Sequence, residues 1–428
     1  MEIKFKNKKL LIIGGNPETL PLINVARSMG IYTIVSDDNP NAMSKKYADK
    51  SYNVNGLDVQ GLVNIALIEE VDGVLVGVAD ILIGAYYQVC KILNLPCYAT
   101  QNSVDVFTQK DNLKKTCAKY GINSIPQFKI DMDMNEADLE KVEYPVLVKP
   151  VDNGGGVGMS ICNNKEELKA GIQIALKFSR RKCFIVEKYM ICDDTFVYYT
   201  FKDGEYYLSA MADRFTTKEQ GQLSPVCMAA VYPSKHIDLY YETMHDNICR
   251  LFKDLEVKNG VLLIQAFVEN DKIYVYDPGF RLQGEAPHLL INEINEFDQR
   301  ELLIRFALTG SMGNQDLSTL NDSNFKGKVA GSLWILLKRG IIAKIEGLEE
   351  VKDDSTVIQI VQRLKEGDEV TSNMIGNEKQ VLARLYIVCD SKEEFRTKIK
   401  DIQSKIKVFD EKNQNMLLLP FDVNQTWN

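Results

Sequence analysis

The first hundred residues alternate apolar runs with amphipathic stretches, and this rhythm constrains the fold more than any other feature. The periodicity predicts strands at 10–13, 32–35 and 73–78. Between and after them it predicts helices at 20–29, 59–70 and 81–93. Such a βαβ order is typical of a parallel sheet with helices on both faces. The turn Gly14-Gly15 lacks the G-x-G-x-x-G fingerprint, which disfavours a dinucleotide-binding fold.

Length and charge exclude several classes of protein. A chain of 428 residues is longer than one core usually holds, so we expect more than one domain. The net charge of −8 argues against a nucleic-acid binder, which usually carries a basic patch. No apolar run approaches the roughly 18–20 residues of a membrane span. We interpret 10–13 as a first strand and not as the core of a signal peptide, and predict a cytoplasmic location.

The cysteines and histidines do not form a metal or disulfide pattern. None of the nine cysteines belongs to a C-x-x-C pair, and the three histidines lack H-x-x-x-H spacing. A zinc site or a disulfide framework is therefore not expected.

A glycine-rich loop follows a lysine at the end of an apolar run, VLVKP at 146–150. Four of the five residues at 154–158 are glycine. Glycine lets backbone N–H groups approach anionic oxygens closely, and Lys149 adds a positive charge. The motif is not the Walker loop G-x-x-x-x-G-K-[ST]. We predict a polyphosphate site here, with a mobile hairpin tip as the alternative.

A second apolar run becomes polar at its end, FIVEKYM at 184–190. The backbone of such a segment can offer C=O and N–H groups to the edge of an adenine ring. Asp194 follows four residues later, and its carboxylate can accept a hydrogen bond from a ribose hydroxyl. A common surface tripeptide is the alternative interpretation of Glu187-Lys188-Tyr189.

A predicted hairpin carries the third motif. Its strands at 262–267 and 272–276 place Gln265 opposite Asp277, which ends the second strand. Two oxygen donors facing each other suit Mg²⁺, which needs few protein ligands when phosphates supply the rest. Arg281 follows four residues later and can hold a phosphate or a carboxylate. A simple turn at Asp277-Pro278-Gly279 is the alternative.

In this order, the three motifs resemble the ATP-grasp superfamily, from residue 1 to about 310 and more weakly to the end. The E-K-Y-hydrophobic segment and Gln265 are similar to biotin carboxylase and the large subunit of carbamoyl phosphate synthetase. The sequence DPGFRLQG at 277–284 is closer to carboxylate–amine ligases, including amino-acid ligases. The resemblance implies an α/β fold with a parallel pre-ATP-grasp domain at 1–105, a two-lobed ATP-grasp core at 106–310 and a small α+β domain at 311–428. In that last part, we expect strands at 330–337 and 380–389 and helices at 357–365 and 392–405.

The resemblance also implies roles for single residues. The implied ATP-binding positions are Lys110, Lys149, Gly154, Gly155, Gly156, Gly158, Glu187, Lys188, Met190 and Asp194. The two lysines correspond to phosphate contacts, the glycines to a lid, residues 187–190 to the adenine hinge and Asp194 to the ribose contact. Gln265 and Asp277 correspond to Mg²⁺ ligands, and Mn²⁺ is expected to substitute. Arg281 and Lys149 correspond to the catalytic cations beside the acyl phosphate.

One position departs from the family pattern. The hairpin usually ends E-x-N-P-R, with the asparagine as a further metal ligand, whereas this chain has Asp277 for the glutamate and Gly279 for the asparagine. The number of metal ions is therefore open. His288 lies beyond Arg281, where a substrate contact and a packing role are both conceivable.

The resemblance implies an ATP-dependent ligase that activates a carboxylate as an acyl phosphate and joins it to an amine, releasing ADP and phosphate. Carbamoyl-phosphate-synthetase-like or carboxylase-like chemistry on bicarbonate is one alternative, and a non-catalytic ATP-binding relative is another. The expected partners are a small-molecule carboxylate and amine, without nucleic acid or membrane. A homodimer is left open.

Overall fold

A computed structural model describes residues 5–151, 156–217 and 225–427 of the chain. Its strands form four sheets within these ranges, and the helices pack against them. No helix in the described part of the chain is long and apolar enough to cross a membrane.

The N-terminal part confirms the predicted βαβ order. Its strands are β1 (Lys9–Ile13), β2 (Tyr32–Ser36), β3 (Lys50–Tyr52) and β4 (Gly73–Val76). They pair in parallel in the order β3-β2-β1-β4. The helices of this part are α1 (Leu20–Ser28), α2 (Val59–Glu69) and α3 (Ile83–Leu93). The carboxyl ends of β1 and β4 lie at one edge of the sheet, where ligands of parallel α/β sheets usually bind.

A small antiparallel sheet follows, in the order β5-β8-β6-β7. Its strands are β5 (Gln127–Phe128), β6 (Val146–Pro150), β7 (Ser160–Cys162) and β8 (Phe184–Lys188). The helices here are α4 (Gln101–Phe107), α5 (Lys110–Lys119), α6 (Glu136–Leu139) and α7 (Lys165–Phe178). Helix α7 covers the sheet because its buried residues Leu168, Ile172 and Ala175 recur at helical spacing.

The largest sheet has eight strands, in the order β13-β12-β9-β10-β11-β14-β18-β16. Its first five strands in the chain are β9 (Asp193–Lys202), β10 (Glu205–Thr216), β11 (Cys227–Tyr232), β12 (Gly260–Glu269) and β13 (Lys272–Gly279). The predicted hairpin is present as β12–β13, and β9 and β10 form another. The helices of this region are α8 (Ile237–Tyr240), α9 (Asp246–Asp254), α10 (His288–Asn295), α11 (Gln299–Thr309) and α12 (Leu317–Leu320).

Of the six C-terminal strands, β14, β16 and β18 extend this same sheet. The six strands are β14 (Val329–Leu336), β15 (Gly340–Glu346), β16 (Val357–Gln362), β17 (Glu369–Val370), β18 (Val381–Cys389) and β19 (Lys407–Asp410). Strand β14 pairs with β11 and β18, whereas β17-β15-β19 form a separate sheet. The remaining helices are α13 (Leu348–Lys352) and α14 (Lys392–Lys405). The boundary predicted between residues 310 and 311 thus divides the strands of one continuous sheet.

The predicted helix at 357–365 is wrong. Its first six residues form β16, which pairs antiparallel with β18. The apolar residues of VIQIVQ recur at a spacing that also fits a helix, but four of the six are β-branched. Such residues favour a pleated strand when a neighbouring strand is available to pair.

One hydrophobic core joins the N-terminal sheet to the large sheet. The ring of Phe280, just after β13, lies 5.1 Å from that of Tyr98 and 5.4 Å from that of Phe107. Gly260 on β12 allows this packing, because a Cβ there would lie 2.8 Å from the Phe280 ring. This packing attaches the end of the β12–β13 hairpin to the N-terminal part of the chain.

Candidate functional site

The β12–β13 hairpin places Gln265 and Asp277 directly opposite each other as paired residues. Both side chains are half-buried. Burial raises the pKa of Asp277, Lys110, Lys149 and Arg281 oppose this rise, and Asp80 adds to it. Charged groups from four separate segments therefore act on one carboxylate at the end of β13.

Arg281 is held in a fixed orientation by three oxygens. Its Nη2 pairs with Asp80 Oδ2, and its Nη1 donates to Gln283 Oε1 at 2.7 Å and to the Leu282 carbonyl at 2.9 Å. Gln283 is itself fixed, because its Nε2 donates to the carbonyls of Gly279 at 2.9 Å and Arg281 at 2.6 Å. The guanidinium is therefore held in one orientation just after the end of β13.

Asp80 is a site residue that the sequence motifs did not indicate. It opens the short turn after β4, at the carboxyl edge of the parallel sheet, about 200 positions before Arg281 in the chain. No motif surrounds it. The only signal was its place just after a predicted strand in a βαβ unit, where ligands of such sheets gather.

Lys149 and Lys114 share one buried carboxylate. Both ammonium groups pair with Glu187, whose side chain is only 1% exposed, and the lysines are 11% and 16% exposed. Burial tends to raise the pKa of Glu187, but the two lysines outweigh it and hold that pKa below its ordinary value. Lys114 lies one helical turn after Lys110 on α5, and the motifs did not assign it to the site.

The predicted adenine hinge lies where β8 ends. Lys188 pairs with Glu269 on β12, with 2.6 Å between Nζ and Oε2, so this pair joins the two sheets. Met190 is buried, and the Tyr189 N–H donates to the Pro145 carbonyl at 3.0 Å. The Glu187 side chain faces the lysines, so in this arrangement only its backbone could serve a base.

Asp194 already has two donors. Arg214 Nη1 donates to its Oδ2 at 2.8 Å, and the Tyr276 hydroxyl donates to its Oδ1 at 3.1 Å. Burial raises the pKa of Asp194, against the lowering effect of Arg214. A carboxylate has about four acceptor sites, so both bonds leave room for a further donor. The assignment of Asp194 to the ribose stays a prediction.

The structure describes only residues 156–158 of the glycine-rich loop at 154–158. Gly156 and Gly158 both have positive φ, 79° and 77°. A Cβ at Gly158 would lie 2.7 Å from Phe178 Cβ and 2.8 Å from Pro150 Cγ, so this turn passes too close to α7 for a side chain. Gly154 and Gly155 lie outside the described residues, and their lid role stays a prediction.

His288 begins α10 and is buried. Neither ring nitrogen has a hydrogen-bond partner among the described residues. Burial lowers its pKa to about 3, so the imidazole is neutral at ordinary pH. The arrangement gives a packed, uncharged ring.

The donors at the hairpin end fit Mg²⁺. Within the described ranges, no three His, Cys, Asp or Glu side chains are grouped to hold a metal ion by themselves. Gln265 and Asp277 offer oxygen only, as hard divalent cations require, and phosphate oxygens would complete their coordination. A third oxygen, Oδ1 of Asp80, is buried there without a hydrogen-bond partner in the described part of the chain.

The sequence of the middle part of the chain matches a known family. Residues 109–294 match the family described as carbamoyl-phosphate synthase L chain, ATP binding domain. The carbamoyl phosphate synthase large chain of Clostridium beijerinckii is 23% identical over 304 residues, which are 66% of this chain and 28% of that protein. The chain therefore spans little more than a quarter of the length of that relative.

Solved structures share the fold over almost the whole chain. The L-amino acid ligase from Bacillus licheniformis has a TM-score of 0.75 at 16% identity, and the match covers 95% of this chain and 99% of that one. The biotin carboxylase domain of the Hydrogenobacter thermophilus 2-oxoglutarate carboxylase, in complex with MgADP, ADP and bicarbonate, also has a TM-score of 0.75 at 16% identity. It covers 96% of this chain and 91% of that one. By sequence over 109–294 and by fold over nearly its whole length, the predicted resemblance of this chain to the ATP-grasp superfamily is confirmed.

Proposed function

We propose that the chain is an ATP-dependent carboxylate–amine ligase that forms an acyl phosphate and releases ADP and phosphate. The observation that carries the proposal is the convergence of charge on Asp277. Lys110, Lys149 and Arg281, from three separate segments, all act on this one carboxylate. Three cations around an acid that can hold Mg²⁺ suit the transfer of a γ-phosphate to a carboxylate oxygen.

In this proposal, Lys110 and Lys149 bind the phosphates, and Gly154 to Gly158 close over them to exclude water. The backbone of 187–190 receives adenine, and Asp194 the ribose. Gln265 and Asp277 would hold Mg²⁺, which would supply positive charge to the phosphates, and Mn²⁺ is proposed to substitute. Arg281 orients the substrate carboxylate and stabilises the acyl phosphate, which the amine then attacks with loss of phosphate.

The products of turnover test this proposal. We expect ADP and phosphate in a screen of amino acids and other carboxylates, singly and paired with amines, because acyl-phosphate formation cleaves the β–γ bond. Chromatography of the nucleotides after a productive pair separates ADP from AMP. AMP and pyrophosphate as main products would exclude the mechanism.

Bicarbonate as the carboxylate is a second candidate. The family match to the ATP-binding domain of carbamoyl-phosphate synthase and the fold shared with a biotin carboxylase domain favour it. ADP release that depends on bicarbonate and not on an organic acid would select this alternative. Nucleotide binding without ADP release under any condition would select a non-catalytic relative. The three predicted domains, a homodimer and the cytoplasmic location remain predictions.

Replacing Arg281 with lysine is expected to lower kcat about ten-fold or more while ATP affinity changes little. Lysine keeps the charge but loses the planar two-point contact, and a charged hydrogen bond is worth about 1.5–3 kcal/mol. Steady-state kinetics beside ATP titration calorimetry measure both quantities. The matched control is Arg305→Lys, at a residue whose partner is Glu301 on the same helix. A kcat within about two-fold of wild type would remove Arg281 from the mechanism.

A further inference from the structure

The space beside Gly279 is filled by a carboxylate from another part of the chain. An ideal Cβ at Gly279 would lie 3.0 Å from Asp80 Oδ1 and 3.4 Å from Gln283 Oε1. Gly279 does not have a positive φ, so its backbone does not itself require glycine. The missing side chain is explained by the approach of Asp80.

The two oxygens of Asp80 have different surroundings. Oδ2 pairs with Arg281, which fixes the carboxylate. Oδ1 is buried and has no hydrogen-bond partner among the described residues. A buried carboxylate oxygen without a partner is costly, and nearby cations are the usual compensation. The Asp80 side chain as a whole is 46% exposed, and among the described residues Oδ1 is left as an unused acceptor beside the end of β13.

The resemblance to the ATP-grasp superfamily also implies that Gly279 stands where related hairpins carry a metal-binding asparagine. The side chain of such an asparagine would start at the Cβ position, and Asp80 Oδ1 occupies that neighbourhood. We propose that Asp80, from the parallel sheet, supplies the oxygen ligand for Mg²⁺ that the hairpin itself lacks. This inference rests on the proposed function, since it concerns the same metal site.

A carboxylate in place of an amide changes the site in two ways. It adds a full negative charge, which strengthens binding of a hard divalent cation. A cation held by Asp80 would also be coupled to Arg281, because the guanidinium pairs with the same carboxylate through Oδ2. The ligand set then spans the N-terminal sheet and the β12–β13 hairpin.

The competing explanation is that Asp80 only positions Arg281. Loss of activity on changing Asp80 fits both explanations, so activity cannot separate them. Metal affinity separates them, because positioning of an arginine does not require Asp80 to contact the metal.

The experiment is a Mn²⁺ titration of the full chain with saturating ADP, with free Mn²⁺ read by electron paramagnetic resonance and ADP alone as the blank. For Asp80→Ala, we expect protein-dependent Mn²⁺ affinity to fall at least about ten-fold. ADP affinity without metal should stay unchanged. Asp80→Asn keeps the shape of the side chain and one amide oxygen, so it is the variant to use if the alanine variant does not fold, and its loss of charge should lower Mn²⁺ affinity by a smaller factor.

Two further variants complete the design. Gly279→Asn in the Asp80→Ala background places an asparagine in the space that Asp80 leaves and is expected to recover Mn²⁺ binding. Arg281→Ala removes the partner of Oδ2 but keeps the Asp80 carboxylate, so this variant should bind Mn²⁺ more tightly than Asp80→Ala does.

The possible failures are distinguishable. Wild-type Mn²⁺ affinity in Asp80→Ala, or an equal loss in Arg281→Ala, would overturn the ligand role and leave the proposed function standing. No protein-dependent Mn²⁺ binding in the wild type would overturn both.

Discussion

Replacing Asp277 with asparagine is expected to lower kcat roughly 100-fold or more while the fold remains intact. Asparagine has the shape of aspartate but no charge, so packing at the end of β13 is conserved. The variant loses the carboxylate on which Lys110, Lys149 and Arg281 converge. Removing one preorganised electrostatic group from an active site typically costs about 10²–10³ in kcat.

Kinetics across a range of Mg²⁺ concentrations measure this effect, with circular dichroism as the check on folding. Excess Mg²⁺ should restore part of the activity, because a weakened site fills at higher concentration. The matched control is Asp271→Asn at the exposed turn of the same hairpin, which should retain wild-type activity. Unchanged turnover of Asp277→Asn at limiting Mg²⁺ would reduce Asp277 to a turn residue.

The second large effect is expected on stability. Glu187→Gln should lower the free energy of unfolding by about 3 kcal/mol or more, since it leaves two largely buried ammonium groups without a counter-charge. Urea unfolding followed by circular dichroism measures the loss. A matched control exists in Glu136, which also pairs with two lysines, Lys165 and Lys169, but is 57% exposed. Glu136→Gln should cost less than about 1 kcal/mol.

The same variant connects stability to nucleotide binding. Phosphate groups on Lys149 and Lys114 would replace the lost negative charge, so ATP should stabilise Glu187→Gln more than it stabilises the wild type. A variant as stable as the wild type, or one that ATP stabilises no better, would contradict this account of the lysine pair.

The contribution of Glu187 to the free energy of unfolding should decrease in acid. Because the pKa of Glu187 is lowered in the folded chain, its contribution to stability is fully present above the ordinary glutamate pKa of about 4.3. That contribution is lost as the pH falls through the lowered value. The stability difference between wild type and Glu187→Gln should therefore be constant near neutral pH and shrink in acid.

The sequence predicted those features that depend on local spacing. The βαβ order of the N-terminal sheet followed from apolar periodicity, and counting along the hairpin was enough to place Gln265 opposite Asp277. The strand β16 was missed because apolar residues three and four positions apart, in a segment of only six residues, fit a helix as well as a strand. Its pairing with β18 makes it a strand.

The contacts that complete the site could not be predicted because they join distant segments. Asp80 meets Arg281 only after the N-terminal sheet packs on the hairpin, and no local pattern encodes that approach. Glu187 was assigned to adenine from its place in a motif, whereas its side chain lies between Lys114 and Lys149 from other elements. Motifs indicated candidate residues, but the folded chain determines which of them touch.

The continuous eight-stranded sheet has a consequence for any shortened form of the chain. Strand β11 forms hydrogen bonds with β14 from residue 229 to 232, and β14 lies beyond residue 310. A fragment ending at 310 would expose the backbone amides and carbonyls of β11 along a buried, apolar strand. Unpaired strand edges tend to form hydrogen bonds with other chains. The fragment ending at 310 should therefore self-associate instead of behaving as an independent module.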